Sequence, residues 1–159
     1  KNIANHSLIV NCDNVLPVDK NGIPLSEPVS TKELALDFKN SQKLNNNGKP
    51  IEIDHNFCIS NTRQNLRKNA IVSAKNISLE LLSTEPGLQV YTGKGLDSGN
   101  DEGWGDFPYK EFAGIALEPQ IWPDSPNHNG FPNPYLSPHE KYKHHTRIKF
   151  NNSSKKSDT

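Results

Sequence analysis

The stretch EFAGIALEPQIWPDSPN, residues 111–127, sets one carboxylate, Glu118, inside an otherwise apolar run. Read as a strand over 113–121, its side chains alternate between two faces. Ile115, Leu117, Pro119 and Ile121 make a face fit for a core, the proline marking an edge strand or a strand's end. Gly114, Ala116, Glu118 and Gln120 make the other face: two tiny residues, a carboxylate and an amide. Small residues beside a carboxylate leave room for a ligand, such as a sugar ring, to lie against the sheet. A glutamate facing water on the exposed side of a sheet is the competing reading of the same pattern.

Two other segments favour the ligand. In IEIDHNFCIS (51–60), Asp54 and Asn56 share one face while His55, Phe57 and Ile59 share the other. In PGLQVYTG (86–93), Gln89 and Tyr91 oppose Leu88, Val90 and Thr92. Carboxylate, amide and aromatic groups from separate strands form a polar floor suited to hydroxyl-rich ligands, which need both donors and acceptors.

Strand signals dominate the rest of the chain. Segments 6–12, 69–75, 77–84 and 144–150 join 51–60, 87–93 and 113–121 as short alternating or β-rich runs. Turn formers such as DKNGIP, NNNGKP, TEPG and PDSPNHNGFPNP separate them. The expectation is an all-β, antiparallel β-sandwich or part of one. SEPVSTKELALDF (26–38) reads as a short helical turn or irregular connection, and the asparagine-rich 40–50 as a solvated loop. Residues 1–150 are expected to fold, and 151–159, which contain no apolar residue, to form a disordered polar tail.

Composition narrows the function classes. The chain of 159 residues suggests one domain. It balances 18 basic against 18 acidic residues, so no long-range field draws it to nucleic acid or a membrane. No apolar run reaches the ~18 residues of a membrane-spanning helix. An apolar fraction of 32% is low for a self-sufficient domain. With no methionine and an opening KNIANHSLIV, the sequence is expected to be a piece of a longer protein. Cys12 and Cys58 sit in alternating segments and read as free buried thiols, which favours a reducing compartment. Sequons at Asn5, Asn76 and Asn152 fall within chance in so asparagine-rich a chain.

TEPGLQVYTG, EFAGIALEPQIWPDSPN, FPNPYLSPHEKYKHHTRIKF and DHNF resemble, in order and spacing, the C-terminal half of aldose 1-epimerases (galactose mutarotases), and NHSLIVNCDNVLPVD resembles what precedes them. The resemblance runs from residue 3 to 150. It implies a galactose-mutarotase-type β-sandwich (a supersandwich), here its C-terminal half, with the sugar on an open concave face. It also implies cytoplasmic interconversion of α and β anomers of free aldohexoses such as glucose and galactose, without cofactor or metal. By the same resemblance Glu118 matches the catalytic base, Asp54 the aspartate holding sugar hydroxyls, and Gln89 a glutamine lining the site.

The match stops short of the proton donor. The family's acid is a histidine in a motif that NHSLIV (5–10) resembles superficially, yet Leu8 and Ile9 stand where that motif has aromatics. His6 therefore reads as a polar residue opening a strand. The acid, a second histidine and an Asn–Arg pair are expected upstream of Lys1, so the missing N-terminal half or a second chain is the expected partner besides the monosaccharide. The alternative is a truncated, catalytically impaired carbohydrate-binding β-sandwich. Pro119, where the family more often has Thr or Ser, could shift pairing beside the base.

Other sites fare less well. The histidines at 55, 128, 139, 144 and 145 form no metal-type pair, and no metal is expected. A hexose-phosphate ligand would call for more arginines than Arg63, Arg67 and Arg147. Trp104 and Trp122 could stack on a sugar face, though such residues more often pack a loop.

Overall fold

The computed structural model describes residues 2–25, 27–101, 103 and 107–152. Its first strands are short: β1 (Ser7–Val10), β2 (Asn14–Val15), β3 (Val29–Ser30), β4 (Gln42–Lys43), β5 (Asn45–Asn46) and β6 (Lys49–Pro50). The longer ones follow: β7 (Asp54–Cys58), β8 (Arg67–Ala74), β9 (Ile77–Ser83), β10 (Gly87–Tyr91), β11 (Ala116–Gln120) and β12 (Thr146–Asn152). Each of the seven alternating segments contains a strand, and β12 runs two residues past the expected end of the folded part. Tail residues 153–159 lie outside the described residues.

Two five-stranded antiparallel sheets result, in the orders β12-β9-β8-β1-β4 and β11-β10-β7-β2-β3, with β5 and β6 as a separate hairpin. Leu8 and Val10 of β1, Ala70 and Val72 of β8 and Leu81 of β9 face Val15, Phe57, Leu88 and Val90 of the second sheet in one buried cluster. Phe38, from the connection after β3, meets the Phe57 ring edge-on at 6.4 Å. Burying each such side chain contributes about 1.5–3 kcal/mol, so the apolar alternation of these strands fixes which face turns inward.

One reading of the connecting segments is narrowed and another needs correction. Of the two readings of 26–38, the irregular connection holds for the described residues 27–38: the two-residue strand β3 followed by a turn over 31–35, with no helix among them. Its apolar residues do not sustain a helical period, and Val29 and Ser30 instead pair with β2. The expected solvated loop 40–50 holds β4, β5 and β6, and its one apolar residue, Leu44, is fully buried. A single buried leucine pins an otherwise polar segment against the core.

Pro119 lies in β11, the outermost strand of the second sheet, as its sequence position suggested. An edge strand has a hydrogen-bonding neighbour on one side only, which is where a proline can sit without orphaning a partner. No helix among the described residues is long and apolar enough to cross a membrane.

Candidate functional site

The register of β7, β10 and β11 stacks the polar residues in rows across the sheet. Asp54, Tyr91 and Ala116 are paired in one row, Asn56, Gln89 and Glu118 in the next, and Cys58, Gly87 and Gln120 in the third. The intervening rows, His55–Val90–Leu117 and Phe57–Leu88–Pro119, turn toward the core. Strand alternation alone therefore brings the three sequence-derived candidates, Glu118, Asp54 and Gln89, to one face.

They line one shallow cleft of about 320 Å³ together with Gly22, Tyr91, Gln120 and Pro123. Gln89 Nε2 donates to Asp54 Oδ1 at 2.7 Å. That bond orients the glutamine amide, leaving its carbonyl oxygen and second N–H for a ligand. Glu118 is exposed and, among the described residues, has neither an ion pair nor a side-chain hydrogen bond. Its oxygens are thus available as proton acceptors. The Tyr91 hydroxyl accepts from the Gly95 backbone N–H at 2.9 Å and keeps its own hydrogen to donate.

Beside the third row, on the same face, lies a packed support. Asn56 is 1% exposed, and its Oδ1 accepts from Gln120 Nε2 at 3.4 Å. A buried amide left unpaired costs about 1–3 kcal/mol, so this contact matters to both partners. Trp122, 3% exposed, packs with Leu16, Cys58 and Phe131 and donates from Nε1 to the Pro86 carbonyl at 3.0 Å. It is a packing residue rather than a sugar platform; Trp104 lies outside the described residues. Burial raises the Cys12 thiol to about 12 and pushes Cys58 up as well, and both cysteines are free.

A second polar cluster, which the sequence reading passed over, anchors the turn leading into β10. Glu85 is 1% exposed and takes a 2.8 Å hydrogen bond from Arg63 Nε. Arg67 Nη2 donates to the Glu85 carbonyl at 3.2 Å, and the Arg63 guanidinium lies 4.6 Å from the centre of the Tyr142 ring. The Glu85 carboxylate raises the Arg63 pKa above its ordinary value. The only sequence signal for this cluster is a glutamate inside TEPG, a turn motif that gives no hint of burial.

His6 lines a different recess, of about 710 Å³, with Asn2, Asn5, Ala74, Lys75 and Ile77. That recess is larger than the cleft, and no carboxylate is among its described lining residues, whereas Asp54 and Glu118 line the cleft. His6 Nδ1 lies 3.2 Å from the Ile3 carbonyl, in keeping with its reading as a residue at the mouth of a strand. Among the described residues no three His, Cys, Asp or Glu side chains converge to hold a metal ion.

The match to the family described as aldose 1-epimerase extends over residues 1–149. The chain belongs to that family. It is 34% identical over 153 residues to a galactose mutarotase of Homo sapiens, covering 94% of this chain and 44% of the human protein. An aldose 1-epimerase of Escherichia coli (strain K12) is 31% identical over 159 aligned residues, covering 93% and 45%. A GalM/aldose epimerase homologue from C. elegans has the same fold, with a TM-score of 0.83 over 95% of this chain and 47% of that one at 22% identity. The galactose 1-epimerase of Lactobacillus acidophilus superposes with a TM-score of 0.67. The sandwich is thus of the galactose mutarotase type, and the chain spans about half the length of the relatives it matches.

Proposed function

We propose that this chain is the C-terminal, base-bearing half of an aldose 1-epimerase, with Glu118 as the general base and Asp54 and Gln89 holding the sugar. The observation that carries the proposal is an unpaired, exposed glutamate one strand away from a hydrogen-bonded Asp–Gln pair in one cleft. Glu118 takes the proton from the anomeric hydroxyl of a free aldohexose. The C1–O1 bond becomes a carbonyl as the bond from C1 to the ring oxygen breaks, and an acid protonates that oxygen. Rotation about C1–C2 and the reverse steps give the other anomer. We assign the acid to the part of the family's sandwich beyond residues 1–159, or to a second chain. The two free buried thiols favour a reducing, cytoplasmic setting.

Polarimetry of freshly dissolved α-D-galactose and α-D-glucose, with the chain and with Glu118→Gln, tests the assignment. Where the chain accelerates mutarotation, the substitution is expected to remove about 10²–10⁴-fold of that acceleration, the usual contribution of one positioned proton-transfer group. Equal acceleration by both proteins would overturn the role of Glu118. The coverage of about half the relatives' length favours one second reading, a sandwich that holds sugar without turning it over. Sugar binding by calorimetry at the buffer rate of mutarotation would establish it.

A further inference from the structure

We propose that Gln120, held from the side by the buried Asn56, is a third sugar-binding group of the cleft, gripping the ligand at the end opposite Asp54. The inference rests on the reading of the cleft as a sugar site and extends it to two residues that reading does not use.

The rows give the geometry. Side chains on one face of a strand recur about every 7 Å, so the Glu118 row lies midway between the row of Asp54 and the row of Gln120. A sugar whose reacting carbon sits at Glu118 extends along the strands toward one or both ends. Asp54 serves one end and Gln89 the middle, beside Glu118; Gln120 is the polar side chain of the cleft wall at the other end. The Cys58 and Gly87 positions of its row offer no competing polar group, since Cys58 is buried and Gly87 has no side chain.

The support beside Gln120 fits a ligand contact better than a solvated surface amide. Asn56 reaches diagonally across β10 to the space above Gly87, where any added Cβ would collide with Asn56 Oδ1. Trp122 closes the same space, 2.9 Å from that Cβ position. Asn56 is therefore walled in, and its Oδ1 accepts one N–H of Gln120. This fixes which way the Gln120 amide points, leaving its oxygen and one N–H toward the cleft. A surface glutamine needs no such buried partner, whereas an amide that reads a hydroxyl does, because orientation decides whether it donates or accepts.

The test is an NMR titration of the chain, nitrogen-labelled at its glutamine side chains, with D-galactose, D-glucose and glycerol as a non-sugar polyol. Gln89→Glu and Gln120→Glu assign the two side-chain amides. The expected result is that both amides shift with the aldoses and not with glycerol. In Asn56→Ala the Gln120 shift should be lost while that of Gln89 persists, with affinity reduced about 3- to 10-fold, the worth of one hydrogen bond. Should Asn56→Ala not fold, Gln120→Ala is to show the same loss of affinity with the Gln89 shift retained. If Gln89 responds and Gln120 is silent, or if Gln120 responds to glycerol equally, the inference is wrong and the sugar site stands. If neither amide responds to any aldose, the sugar site itself is wrong.

Discussion

A methyl group added at Gly87 would overlap Asn56 Oδ1 and come within 3.1 Å of the Gln120 carbonyl, besides crowding Trp122. Neither a backbone carbonyl nor a packed indole can yield cheaply. Gly87→Ala is expected to destabilise the fold by about 1–3 kcal/mol, the usual penalty for overpacking, read as a lower urea midpoint with an unchanged slope. His55 makes the opposite kind of demand. It is half-buried on the core side of β7, and burial depresses its pKa below 6.5 although Asp54 pulls the other way. The unfolded chain then binds more protons than the folded one as pH falls through that range, so the stability from neutral His55 is present above 6.5 and lost below it. Urea midpoints between about pH 7 and pH 5 should fall in the wild type and fall less in His55→Gln.

At the scale of elements, the legible part of the fold was the part with a period. Seven alternating runs became strands, and their alternation sent Asp54, Gln89 and Glu118 to one face. The two-residue strands β2 to β6 are too short to carry any alternation, and the pairing of β2, β3 and β4 is decided by neighbours distant in sequence, as when Asn14 and Val15 join β7. The buried Glu85–Arg63 pair and the Asn56–Gln120 contact escaped for the same reason: a polar residue looks solvent-facing until something 22 or 64 residues away covers or meets it. Pro119 was legible because a proline can occupy few places in a sheet, and the edge is one.

For the molecule as a whole, the inner face of the first sheet runs past the second. The row that buries Leu81 continues to Ile148 of β12, and the next continues from Leu79 to Phe150. Ile77, Ile148 and Phe150 are 52%, 52% and 72% exposed. This uncovered apolar stripe is expected to bind a hydrophobic dye such as ANS in the native chain, with Phe150→Thr and Ile148→Thr lowering the fluorescence while leaving the urea midpoint nearly unchanged. The connections of β9 differ as much as its two faces. Only Lys75 and Asn76 separate it from β8, whereas β12 reaches it from more than sixty residues downstream. Ordering in time should follow: the short hairpin can close early and locally, while the last strand must wait for a large loop to shut. Because β12 is also wet along its whole length, its amides are expected to trade hydrogen for deuterium by peeling away alone, well before the β8 and β1 amides are released.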